Sequence, residues 1–163
     1  MAPELALTTT EPFHIFLKPG TKPLLSQLDF LLVNVHPIYE AWFRSAPDEN
    51  AAEFVVKVAD KLAEVYCGPI LVKETGEPTA PEQDGYTPER QALFYDSLYR
   101  KFPPTRTRAF AYFCAFDAPW RVNDHGAPGI RPGPEEGHWG LYDERRRPKP
   151  VVSTIPILSK LPR

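Results

Sequence analysis

The chain has 163 residues, of which 42% are hydrophobic and 25% charged, and its net charge at pH 7 is -2. That size and balance suit one globular domain with a real core. No excess of basic charge marks the chain for nucleic acid or an anionic membrane, so neither is expected as a partner.

The first residues, Met1-Ala2-Pro3-Glu4, lack a basic region followed by an apolar core, so no signal peptide is expected. No apolar run reaches bilayer length, and a soluble, cytoplasmic protein is the expectation. The two cysteines, Cys67 and Cys114, sit in apolar contexts and read as buried free thiols. The 20 prolines cluster between apolar segments, which predicts stiff loops, not disorder.

In chain order, Leu5 to Thr10 reads as a first strand ending in Glu11-Pro12. Lys22 to Leu28 predicts a short helix. Phe30 to Val35 is a continuously apolar strand ending in Asn34, His36 and Pro37. Ser45 to Asn50 is a polar loop, and Pro47-Asp48-Glu49 opens a helix with acidic residues in its first turn. Apolar residues at Phe54, Val55, Val58, Leu62 and Val65 carry that helix to about Tyr66. Pro69 to Lys73 is a third strand. Thr87-Pro88 caps a helix that runs through Ala92, Leu93, Tyr95, Leu98 and Tyr99 to about Phe102. Arg108 to Phe116 is a fourth strand, followed by Asp117-Ala118-Pro119-Trp120, a Gly/Pro loop and an apolar tail from Val151 to Leu161. Strand and helix alternate four times, and strands apolar on both faces predict a parallel sheet covered by helices. The expected fold class is therefore α/β, four βα units forming one domain over residues 1–163.

Ligands bind outside the carboxyl ends of parallel strands. The four predicted strands end in Glu11, Asn34 with His36, Glu74 and Asp117, with Tyr39, Trp42, Trp120 and Trp139 just beyond strand ends. Carboxylates beside aromatic faces suit a sugar site. Aromatic rings pack on the apolar faces of pyranoses, and carboxylates serve as acid, base or nucleophile. Glu74 leads, because a short β-branched strand opens there into Thr75-Gly76-Glu77-Pro78. Its alternative is a helix-capping or Arg-paired carboxylate. Glu11 reads equally as a solvated loop charge, Asp117 as a turn-former, and His36 as a satisfied histidine. His14, His125 and His138 lack metal-ligand spacing, and no cofactor is called for.

At these residues the chain resembles glycoside hydrolase family 17, β-1,3-glucanases and related β-glucan transglycosylases with a (β/α)8 barrel. The resemblance rests on Thr8-Thr9-Thr10-Glu11-Pro12, Val33-Asn34-Val35-His36-Pro37, Glu74-Thr75-Gly76-Glu77-Pro78, Phe113-Cys114-Ala115-Phe116-Asp117-Ala118-Pro119-Trp120 and Glu136-Gly137-His138-Trp139-Gly140-Leu141-Tyr142-Asp143. In order and spacing these are similar to strands five to eight of that barrel. The resemblance implies that Glu74 is the nucleophile of a retaining mechanism. The family usually has Trp where this chain has Glu77, and its acid/base lies on a strand that this chain lacks.

The chain thus reads as half of a TIM barrel, whose open sheet favours association. Expected partners are β-glucan or an oligosaccharide, and either a second copy of the chain or a separate N-terminal half barrel. In a homodimer, Asp117 of the second copy would face Glu74 as proton donor, with Glu11 as the other candidate. Asn34, His36, Tyr39, Trp120 and Trp139 are the expected substrate contacts. The rival expectation is a catalytically silent half barrel that binds β-glucan or serves as an assembly scaffold. A third is a piece of a longer enzyme.

Overall fold

The computed structural model of the chain describes residues 5–45, 49–123 and 132–155. Four strands lie side by side in chain order and all run parallel: β1 (Thr10–Pro12), β2 (Leu31–Asn34), β3 (Ile70–Glu74) and β4 (Arg108–Phe110). Two one-turn helices, α1 (Phe13–Phe16) and α2 (Lys22–Leu25), connect β1 to β2. Helix α3 (Glu49–Val65) leads into β3, α4 (Pro88–Lys101) into β4, and α5 (Val151–Thr154) packs on α4. This is the expected α/β arrangement of four βα units.

The sheet has two unlike faces. Leu31, Val33, Ile70 and Val72 are buried in one cluster with Val55 and Leu62 of α3 and Phe94 and Leu98 of α4. Alternation sends their neighbours to the opposite face, where Leu32 and Leu71 are only half-buried. The helices therefore cover one side and leave the other open.

Helix α3 forms where its apolar spacing predicts, but its buried stripe differs from the expected one. Ala51, Ala52, Val55, Val58, Ala59 and Leu62 face the core, while Val65 is 48% exposed at the helix end. Small alanines let α3 lie close to the sheet, which a search for bulky residues overlooks. Helix α4 starts as read: the Thr87 hydroxyl accepts a hydrogen bond from the Arg90 backbone N–H at 3.1 Å. Its buried face is turned by one position, taking Gln91 and Phe94 inward and leaving Leu93 and Tyr99 partly exposed.

The fourth strand is shorter than its apolar run. The ladder with β3 ends after Phe110, and Ala111 N–H makes one more bond to Val72 O at 2.9 Å. The Tyr95 hydroxyl then accepts from Phe113 N–H at 3.1 Å and donates to Thr75 O at 2.8 Å. Cys114 has φ 53°, a left-handed conformation that ends an extended run. The remaining residues of the run turn away to pair elsewhere, Phe116 bridging to Tyr142. The first strand is also shorter than expected, because only Thr10–Pro12 finds register with β2.

Cys67 corrects the expectation of two buried thiols. It lies beyond the end of α3 and is exposed, while Cys114 is partly buried. The helix start at Pro47-Asp48, the part of the Gly/Pro loop with His125, and the tail beyond Ile155 lie outside the described residues. Among the described residues no helix is long and apolar enough to cross a membrane.

Candidate active site

The carboxyl ends of β2 and β3 meet through an irregular register. Val33 pairs with Val72, but the next pair is Asn34 with Glu74, so Lys73 is an extra residue in β3. Strict alternation from buried Val72 would turn Glu74 toward the helices. The additional residue restores it to the open face beside Asn34, as bulges do when they re-aim a side chain. Glu74 is thereby presented at the carboxyl end of the sheet with its side chain 27% exposed.

Two cations or potential cations flank this carboxylate. The Lys73 ammonium is in direct contact with it, and the His36 Nε2 atom lies 3.7 Å from the Glu74 Oε2 atom. His36, working against partial burial, and then Lys73 hold the Glu74 carboxyl down at about 2, below its ordinary 4.5. His36 is itself fixed by rings on several sides. Its centroid lies 4.9 Å from Phe113, 5.2 Å from Trp139 and 5.9 Å from Tyr39, all edge-on.

The other expected site residues separate into two groups. Asn34 shares the open face with Glu74, and its side-chain oxygen lies 3.4 Å from the Thr10 hydroxyl. Tyr39 and Trp120 are 63% and 66% exposed, so both rings are available for stacking. Trp139 is only 2% exposed, and its indole packs on Phe113 and His36, so it supports the site from beneath. Glu11 stands in register with Val33, on the helix-covered side of the sheet and away from Glu74. Asp117 is buried. It accepts from the Lys149 ammonium at 2.6 Å and from Gly140 N–H at 2.8 Å, while Lys149 also donates to the Thr79 hydroxyl at 2.7 Å. Those partners make Asp117 an anchor between loops, the wrong surroundings for a proton donor.

Several site residues escape a reading of the sequence. Lys73 looks like an ordinary strand residue until the bulge is known. Glu136 accepts from the Tyr39 hydroxyl at 2.8 Å and pairs with Arg121 at 3.2 Å, bridging loops 97 residues apart in sequence. Nothing local announces that link, although Glu136 opens one of the motifs above. Glu77, at the position where the resemblance implies Trp, is buried and paired with Arg90 at 2.9 Å. Arg90 in turn lies over the Phe43 ring, 4.3 Å from its centroid. The loop after Glu74 is thus held inward by charge where the family is expected to present an indole.

No protein-family model matches the chain. Among curated proteins, a glucan 1,3-beta-glucosidase of Arthroderma benhamiae is 28% identical over 90% of this chain and 50% of its own length. Among solved structures, the glycoside hydrolase family 17 beta-1,3-glucanosyltransferase from Rhizomucor miehei superposes with a TM-score of 0.65 and 24% identity, over 90% of this chain and 49% of that one. An endo-laminarinase from Formosa superposes with a TM-score of 0.62 and 16% identity, over 88% of this chain and 44% of its own. The chain spans about half the length of the relatives it matches. It is similar in sequence to a glucan 1,3-beta-glucosidase, and its fold is that of half of a β/α-barrel glycoside hydrolase such as those of family 17.

Proposed function

We propose that the chain supplies the nucleophile-bearing half of a retaining β-1,3-glucan glycosidase or transglycosylase. The observation that carries this reading is the position of Glu74: ionised, at a strand's carboxyl end, on the open face, with His36 beside it. The substrate class comes from the glucan-active proteins to which the chain is similar.

In the reaction, a Glu74 oxygen attacks the anomeric carbon and the glycosidic C–O bond breaks. The leaving oxygen takes a proton from an acid about 5–5.5 Å from Glu74, giving a glycosyl-enzyme ester. Water or a sugar hydroxyl then attacks the same carbon, returns a proton to that group and releases the Glu74 carboxylate. His36 is a positioning residue, since the aromatic cluster around it fixes the ring that faces Glu74. Asn34 on the open face, with Tyr39 and Trp120 at the rim, contacts the sugar. The Glu74→Gln variant is expected to lose at least about a thousandfold of turnover on laminari-oligosaccharides while still binding them. Unchanged turnover in that variant refutes the assignment.

One observation favours the second reading, a glucan-binding half barrel without turnover. Asp117 is engaged by Lys149 and Gly140, Glu11 lies on the helix side of the sheet, and Glu136 is engaged by Tyr39 and Arg121. Binding of laminari-oligosaccharides without any bond cleavage, before and after the other half of a barrel is supplied, would establish that reading.

A further inference from the structure

We infer that Glu136 is a positioning residue: its carboxylate ties together the loops on either side of Glu74, fixes the rings around His36, and sets the two exposed sugar platforms, Tyr39 and Trp120, relative to each other. The platform clause rests on the function proposed above; the tie to His36 and Glu74 rests on geometry alone.

Tyr39 ends the turn that follows β2 and Arg121 lies in the turn that follows β4, while Glu74 ends β3 between those two strands. Glu136 spans the gap with one oxygen for each side. Its Oε1 atom accepts from the Tyr39 hydroxyl at 2.8 Å, and its Oε2 atom accepts from the Arg121 Nη2 group at 3.2 Å. The side chain is only 15% exposed, so both charge-assisted bonds are made by a carboxylate largely screened from water. The backbone beside it is seated on the Arg121 turn as well, where Ala118 N–H donates to Gly137 O at 3.0 Å. A Cβ at Gly137 would lie 3.1 Å from Val122 Cγ2 and 3.3 Å from Pro119 Cα, so glycine lets the two turns close on each other.

Two routes lead from this carboxylate to Glu74, and both pass through His36. One runs through Tyr39, whose ring meets the His36 ring edge-on at 5.9 Å. The other runs through Arg121, whose guanidinium lies 5.7 Å from the Phe113 centroid, and Phe113 meets His36 at 4.9 Å. The third ring against His36, that of Trp139, lies on the same loop as Glu136. The rings that hold His36 Nε2 at 3.7 Å from the Glu74 carboxylate therefore depend on where Glu136 stands. The platforms depend on it too. Tyr39 and Trp120 are both exposed, and Trp120 precedes Arg121 in the same turn. Rings fixed before the sugar arrives leave less to be ordered on binding.

The test makes Glu136→Ala, Tyr39→Phe and the double variant in the 163-residue chain, with circular dichroism to show that each is folded. Nuclear magnetic resonance follows the titration of the Glu74 carboxyl, and calorimetry follows the binding of laminaritriose. His36 and Lys73 act on that carboxyl, and the Cys114 thiol beyond β4 feels its charge. In Glu136→Ala the acid dissociation constant of Glu74 should fall about threefold or more, because a loosened His36 favours the ionised form less while Lys73 stays in place. Laminaritriose should bind roughly tenfold more weakly, since both platforms must then be ordered on binding. Tyr39→Phe keeps the ring and removes only the hydroxyl at an exposed position, so it should show part of both effects and carries the test if Glu136→Ala does not fold. Adding it to Glu136→Ala should change nothing further. Full additivity of the two, or a Glu74 titration equal to the parent's in every folded variant, overturns the tie. A shifted titration with unchanged affinity overturns the platform clause alone. A parent chain that binds no laminaritriose overturns that clause together with the function beneath it, and the titration still decides the tie.

Discussion

Glu74 differs from an ordinary strand-end carboxylate in the charge around it. With His36 and Lys73 favouring the ionised form, the folded protein binds that proton less well than the unfolded chain does. A depressed carboxyl contributes stability that is fully present above its unfolded value and is lost as pH falls through its folded one. For Glu74 that window runs from 4.5 down to about 2. The unfolding midpoint of the parent should therefore fall more steeply across this range than that of Glu74→Gln, and an equally steep fall in both would contradict it. Glu74 itself was legible in the sequence, because a carboxylate closing a short apolar strand is a local signal. Its neighbours were not. Lys73 matters through a register shift, and Glu136 through a contact across distant loops. The roles of Asp117 and Trp139 also depend on burial, which no short motif encodes.

At the level of elements, Tyr95 shows why a uniform apolar run need not make one strand. Its hydroxyl takes over hydrogen bonds at both Thr75 O and Phe113 N–H, so the chain is directed away from β3 after Ala111. Tyr95 is 1% exposed, and burial keeps the phenol protonated well above its usual range, despite the Phe113 bond. Tyr95→Phe leaves Phe113 N–H and Thr75 O without that partner at a cost of about 1–3 kcal/mol. Urea denaturation should read this as a lower midpoint with an unchanged slope; a midpoint equal to the parent's would count against the assignment. Helices and strand order were readable beforehand because capping and periodicity are local. The division of the Arg108 to Phe116 run was hidden, since the hydroxyl that causes it belongs to another element. Gln91 was missed for the same reason. Its amide is buried because it reaches the carbonyls of Glu77, Trp139 and Gly140, at 3.0, 3.3 and 3.3 Å.

Over the whole molecule, the contrast between the covered and open faces governs what the protein is able to do. The apolar strands predicted a sheet covered by helices and the half-barrel reading an open face, and among the described residues helices cover only one of the two faces. Leu32 and Leu71 are the residues through which that difference shows. The register shift at Lys73 keeps Glu74 in phase with Asn34 on the open side. In genetic terms, the aim of the site is buffered against a very small lesion. An in-frame loss of the Lys73 codon would leave every proposed sugar contact and Glu74 itself in the protein. It would also make Glu74 the residue next after Val72, so plain alternation keeps the carboxylate on the open face and only the Lys73 ammonium is lost. Such a variant should keep its circular dichroism while its Glu74 carboxyl titrates above the parent's; a titration unchanged from the parent would show that Lys73 does not hold this carboxyl down. A deletion there would thus be silent for the direction of the carboxylate and legible only in its charge.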